Sequence, residues 1–285
     1  MMMLGECPLG LCGSWLLEPW AMGFMRAGLA ASLLAGLSCA LLGVYVVFRR
    51  LAFAGEAMSH TTLPGMVIAQ MYGASLAVGA LASNVLTAAG ISLLSSGASR
   101  RRGVREDAAI GVVFTGMFAL GVILMSFGGS WGDFVHLLFG NILSVAPSDL
   151  WFMVCAACAI VVTLIALHKE LELSSYDTHY ADLIGIGSSR LRLVILTLVA
   201  LAVVSGVQVV GVILTSALLI TPAATAAMFA RRLVPMMALS VVISWTAIVA
   251  GLYLSYYGSF PPGASIVALS SLLFVGAWLR RKVAG

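Results

Sequence analysis

An all-helical protein that crosses a lipid membrane about nine times is the fold class this sequence predicts, and three observations predict it. Apolar residues fill 61% of 285 positions and charged residues only 9%, where a globular domain carries roughly a quarter charged. The few charges fall in short clumps separated by charge-free runs of membrane length. Those clumps are mostly Arg and Lys, and they alternate as the short loops on one side of a membrane do. A water-soluble fold, a disordered chain, a collagen and a nucleic-acid binder are excluded. The net charge of +4 reads as a sum of topology signals rather than a stripe for an anionic partner.

The runs can be taken in order. Ala27–Phe48, Ala108–Gly132 and Leu150–Leu167 each hold one span of about 20 residues. Thr61–Ser99, Leu193–Ala230 and Leu233–Leu279 are long enough for two, with splits expected near Gly73-Ala74, Gly206-Gln208 and Gly258-Gly263. The second span begins near Leu51 and takes in Glu56 and His60, the only ionisable residues well inside a span. With the N-terminus outside and the C-terminus cytoplasmic, nine crossings place fourteen of the fifteen cations on the cytoplasmic side and leave only Arg26 outside. An eight-span alternative, with half of one long run re-entrant, breaks this alternation, although Pro64 could break a helix.

Residues 1–25 lack a basic n-region and read as an interfacial segment bearing Trp15 and Trp20, not a secretory signal. Residues 26–282 form one transmembrane domain with a cytoplasmic loop over 168–190. Cys155 and Cys158 form a C-x-x-C that reads as small packing residues within a span. Cys7 and Cys12 face the outside and are close enough in sequence to bridge.

Ionisable side chains inside a bilayer are costly, which makes Glu56 and His60 functional candidates. Their i, i+4 spacing puts both on one helical face, where a carboxylate oxygen and an imidazole nitrogen can share a divalent cation. At 1.5 Å per residue from Leu51, His60 sits near the bilayer middle. The alternative is that Glu56 pairs with Arg49 or Arg50 while His60 only packs. Asp133 and His136 form a second acid–histidine pair in an outer loop, suited to passing a metal inward or simply solvated. Between His168 and Gly187, Leu171, Leu173, Tyr176, Tyr180, Leu183 and Ile184 supply one face of a short helix with Asp177 as its N-cap. Its mixed charges favour a protein partner over lipid head groups.

Neither lysine lies in a phosphate loop, since Lys169 is followed by Glu170 and Lys282 by Val283, and no H-E-x-x-H occurs. The chain therefore reads as no enzyme of either type.

Four ordered segments resemble the permease subunit of the metal-ion ABC importers, the ABC-3 family. They are the run from Arg49-Arg50-Leu51-Ala52 through Gly55-Glu56-Ala57 to His60; Glu106-Asp107-Ala108-Ala109-Ile110-Gly111; Leu138-Phe139-Gly140-Asn141-Ile142-Leu143; and GVILTSALLITPAATA over Gly211–Ala226. The resemblance spans about Met25 to Lys282. It implies the type II importer fold in a prokaryotic plasma (inner) membrane, and a permease homodimer with the path on its axis. It also implies two copies of a cytoplasmic ATP-binding subunit, an extracytoplasmic metal-binding protein, and manganese, zinc or ferrous iron as cargo with no permanently bound cofactor. Glu56 and His60 map onto the family's intramembrane metal-contacting pair, with Glu where Asp is usual. Asp177, Tyr180, Ala181, Leu183 and Gly185 map onto the ATPase-coupling loop. Two other readings share these features: a permease for siderophores, haem or vitamin B12, and a proton-coupled carrier with Glu56 and His60 as its relay.

Overall fold

The structure, a computed structural model, describes residues 22–96, 106–128, 140, 142 and 145–284. Every regular element among them is helical. They are α1 (Gly23–Phe48), α2 (Ala52–Met71), α3 (Leu76–Ser96), α4 (Glu106–Gly128), α5 (Pro147–Ala166), α6 (His168–Tyr176), α7 (Thr178–Leu183), α8 (Ser188–Val210), α9 (Val212–Ala227), α10 (Leu233–Gly258) and α11 (Pro262–Ala284). Six are long and apolar enough to cross a membrane: α1, α4, α5, α8, α10 and α11. Two shorter apolar stretches, Leu76–Ile91 and Val212–Ala227, lie in α3 and α9. The remaining long helix, α2, has 20 residues and carries Glu56 and His60.

Burial falls outward from a central pair. Most of α1 and α8 is buried, whereas α4 and α11 expose most of their length. Around α1 pack α9, α10, α8 and α5, and α2 is held between α3 and α4. Glycine sets the closeness of that second packing: a Cβ on Gly65 would lie 2.0 Å from the Gly79 carbonyl oxygen, and one on Gly79 would lie 2.2 Å from that of Gly65. With lipid as apolar as leucine, such small-residue contacts and interhelical hydrogen bonds drive helix association.

Two expected splits are where the sequence puts them. The α2–α3 turn runs through Gly73, with φ +65°, and the α10–α11 turn through Ser259. The third is displaced. α8 continues through Gly206 and ends at Gly211, whose φ of +88° only glycine adopts cheaply. Gly206 serves packing instead, because a Cβ there would meet the Thr215 side chain at 2.9 Å.

Pro64 does not break α2, which runs unbroken from Ala52 to Met71. The single cytoplasmic helix expected between His168 and Gly187 is two, α6 and α7, kinked at extended Asp177. Cys155 and Cys158 are free thiols exposed on α5, so they are not packing residues within the protomer. Cys7, Cys12, Trp15, Trp20, Asp133 and His136 lie outside the described residues.

Candidate functional site

The site is built on α2 where it faces α4 and α9. One helical turn separates Glu56 from His60, and their side chains meet, Glu56 Oε1 lying 3.4 Å from His60 Nε2. Two donors each about 2.0–2.2 Å from one cation lie roughly 2.8–3.6 Å apart at ligand angles of 90–110°, so the observed gap suits a shared ion. The Glu56 side chain is 41% exposed and that of His60 23%, which leaves the pair open at the protomer surface.

α4 and α9 shape the rest. Phe114 and Phe118, themselves stacked at 6.1 Å, present edges to the imidazole at 5.6 and 5.7 Å. This aromatic wall fixes the ring plane and directs Nε2 toward Glu56. From α9, Ser216 lies beside the Glu56 carboxylate, with its hydroxyl donating to the Ile213 carbonyl at 3.1 Å. The Gly211 break thus has a consequence at the site, since it starts the helix that brings Ser216 to Glu56. Gly55 lets α9 approach, because a Cβ there would lie 2.5 Å from Leu219 Cδ2.

His60 Nδ1 is buried without a hydrogen-bond partner. Pro64, four residues on, has no N–H, so the His60 carbonyl also lacks its ordinary helical donor. Both features concentrate unspent polar capacity at one residue. Behind the pair, Thr61 Oγ1 donates to Asn84 Oδ1 at 2.9 Å, tying α2 to α3 and fixing the face that α2 presents. Neither Phe114 and Phe118 nor Ser216 was singled out by spacing, although the two phenylalanines share the i, i+4 period of Glu56 and His60.

Arg49 turns away from Glu56, so the expected alternative of an Arg49–Glu56 ion pair is not formed. Its Nε donates to Ser175 Oγ at 2.9 Å and its NH2 group to the Leu171 carbonyl at 3.4 Å. Burial holds its guanidinium pKa below the ordinary arginine value; Tyr45 opposes that shift and Arg192 adds to it.

The cytoplasmic loop is divided between inward and outward residues. Asp177 Oδ1 accepts the Tyr180 N–H at 3.0 Å and caps α7 as expected. Leu171 and Ala181 are fully buried, so they anchor the loop rather than join its outer face. Tyr176, Tyr180, Leu183 and Ile184 are exposed, Leu183 by 84%, and Gly185 ends the turn at φ +84°.

The model of the ABC 3 transport family matches residues 21–281, nearly the whole length of this helical chain. The chain belongs to the ABC 3 transport family. Among its relatives is the manganese transport system membrane protein MntC of Halalkalibacterium halodurans, 37% identical over 256 residues, covering 90% of this chain and 86% of that protein. The chelated iron transport system membrane protein YfeD of Yersinia pestis is 33% identical, with 93% and 88% covered. Of solved structures, PsaBC from Streptococcus pneumoniae in complex with Fab superimposes with a TM-score of 0.83 at 29% identity, covering 94% of this chain and 95% of that one. Membership makes this ABC 3 chain a multi-pass membrane protein, which in bacteria resides in the plasma membrane.

Proposed function

We propose that this chain is the permease subunit of an ATP-binding-cassette importer that moves a divalent transition-metal ion, manganese, iron or zinc, into the cytoplasm. The observation that carries the reading is the 3.4 Å contact between Glu56 Oε1 and His60 Nε2, a carboxylate and an imidazole on one membrane-embedded face. Relatives named for manganese and for chelated iron transport support the same cargo class. A siderophore, haem or cobalamin would need a wide path, which this aromatic-walled pair does not favour.

Glu56 and His60 contact the ion on this reading. Among the described residues no group of three or more His, Cys, Asp or Glu side chains comes together, so one protomer offers two such donors where a transition metal takes four or more. A second protomer placing its own pair across a shared axis completes the set, with Asp133 and His136 as ligands at the outer mouth. Two cytoplasmic ATP-binding subunits dock on the surface formed by Asp177, Tyr180, Leu183 and Gly185, with buried Ala181 holding α7 in place. An extracytoplasmic binding protein delivers the ion. Nine crossings follow if α2, α3 and α9 span with the six helices that qualify by length and hydropathy, which puts the N-terminus outside and Lys282 inside.

The test is uptake of radioactive manganese, iron and zinc by cells lacking the native importer and supplied with this chain, its ATPase and its binding protein. ATP-dependent uptake that survives collapse of the proton gradient supports the importer. Uptake that follows the gradient and ignores ATP makes Glu56 and His60 a proton relay instead.

A further inference from the structure

The last turn of α1 grips the cytoplasmic helix α6 through three side chains on one face, spaced i, i+3, i+4. The Tyr45 hydroxyl lies 3.2 Å from His168 Nδ1. The Phe48 ring meets Tyr176 edge-on with centroids 5.1 Å apart. Arg49 reaches Ser175 Oγ and the Leu171 carbonyl. The contacts bridge more than 120 residues of sequence and engage α6 at its first, middle and last turns.

The same residues form the elbow into α2. Leu51 N–H returns to the Val46 carbonyl at 2.7 Å, and Arg50 N–H to that of Val47 at 3.1 Å. This closes a Schellman-type turn with Arg50 at φ +60°, a left-handed position held by a non-glycine residue. Leu51, 6% exposed, plugs the turn, and its carbonyl accepts the Ala54 N–H at 2.9 Å to start α2. Glu56 follows within about 6 Å of that start. The elbow is thus a short, hydrogen-bonded link between α6 and the site.

We propose that Arg49 is the residue that transmits ATPase-driven movement of the cytoplasmic helices to α2, and so sets when Glu56 and His60 are presented to the ion. This rests on the importer reading above. The guanidinium suits the task because its planar fork holds a hydroxyl and a carbonyl at once, giving a directional tie where a single contact would swivel. A rival route exists in the same loop: the Asp182 carboxylate accepts both the N–H and the hydroxyl of Ser188 at 2.9 Å, joining α7 to the start of α8. Transmission through Arg49 moves the site helix directly, whereas the Asp182 route moves the buried helix behind it.

The experiment uses the full transporter in proteoliposomes with its ATPase and binding protein, and manganese as the probe. Arg49→Gln and the milder Ser175→Ala should co-purify with the ATPase and hydrolyse ATP at the wild-type basal rate. Metal imported per ATP should fall roughly tenfold in Arg49→Gln, within the range of ordinary coupling between sites. The double variant should be no worse than Arg49→Gln alone, because both remove one tie. Wild-type import per ATP in Arg49→Gln, with loss in Asp182→Asn, would overturn the assignment in favour of α8. Loss of ATPase co-purification would overturn it too, since Arg49 would then support docking. A spin-label distance between exposed Phe53 on α2 and Val162 on α5 separates this from failure of the importer reading. Whatever the cargo, a nucleotide-dependent change present in wild type and absent in Arg49→Gln supports the clamp, and an identical change in both refutes it.

Discussion

Replacing Glu56 by Gln keeps the side-chain length and one carbonyl oxygen while deleting the charge that would hold a divalent ion. Deleting a charge-assisted contact costs about 1.5–3 kcal/mol. The side chain is 41% exposed, and solvent screening favours the lower half of that range, about 1.5–2.2 kcal/mol. At 1.4 kcal/mol per decade this is roughly a tenfold to fortyfold loss of ion affinity for one carboxylate. If two protomers present Glu56 to one ion, both contacts are lost together and the loss exceeds the single-site range, reaching roughly a hundredfold to a thousandfold where the two act independently. The magnitude therefore reports how many copies of Glu56 touch the ion, a quantity no single-chain geometry contains.

The assay is initial uptake of radioactive manganese, iron and zinc over a range of ion concentrations, normalised to permease in the membrane. The apparent KM should rise in Glu56→Gln and fall partly back in Glu56→Asp, which restores the charge on a shorter arm. A mixed transporter with one wild-type and one variant protomer should fall midway on a logarithmic scale if the ion is shared. Wild-type uptake by Glu56→Gln at limiting metal would refute the ligand role outright. A loss unchanged between mixed and uniform variants would refute sharing.

Three further outcomes are expected. Gly65→Ala places a Cβ 2.0 Å from the Gly79 carbonyl oxygen and 2.6 Å from Ser83 Cβ; this overpacking should cost about 1–3 kcal/mol and lower the melting temperature of the purified protein, and an unchanged melt would show that α2 and α3 are not so closely packed. Leu183→Glu, at an 84% exposed position, should leave folding intact yet abolish ATPase co-purification by burying a carboxylate in the partner's groove; full recovery of the complex would remove Leu183 from the docking surface. A reporter active only outside the cytoplasm should work when fused after Gly258 and fail after Lys282, and equal activity at both positions would delete α11 as a span.

Much of the architecture is legible in the sequence because charge is scarce: with 26 formally charged residues, each cluster marks a boundary between runs. What is not legible depends on contacts between distant segments. Gly206 and Gly211 look alike as breaks, and the choice is made by Thr215, which fills the space beside one, and by the positive φ of the other. Arg49 offers Glu56 as the obvious local partner, yet its hydrogen bonds go to a helix more than 120 residues away. Glu56 and His60 were readable because their i, i+4 spacing is local. Their surroundings, Phe114, Phe118 and Ser216, come from two other helices and needed the fold.

The long helix that falls short of a span by hydropathy is also the one that carries the Glu56–His60 pair, and the two features have one physical origin. α2 is absent from the six helices that qualify as spans by length and hydropathy, since Glu56, Ser59, His60, Thr61 and Thr62 interrupt it within seven positions. A helix of this kind is held in a bilayer by its neighbours rather than by lipid. Ser59, Thr61 and Thr62 are fully buried, and each has a hydrogen bond to a helix carbonyl or to Asn84. The Gly65–Gly79 contact supplies close packing on the same flank. With one side of α2 satisfied in this way, the opposite side can leave His60 Nδ1 unpartnered and Glu56 half open. Polar groups at that depth are costly for folding, and on the importer reading Glu56 Oε1 and His60 Nε2 offset that cost when they share an ion. Substitutions that weaken the α2–α3 contact should therefore impair ion handling without touching a ligand, by letting the face that carries Glu56 and His60 rotate away from Phe114 and Ser216.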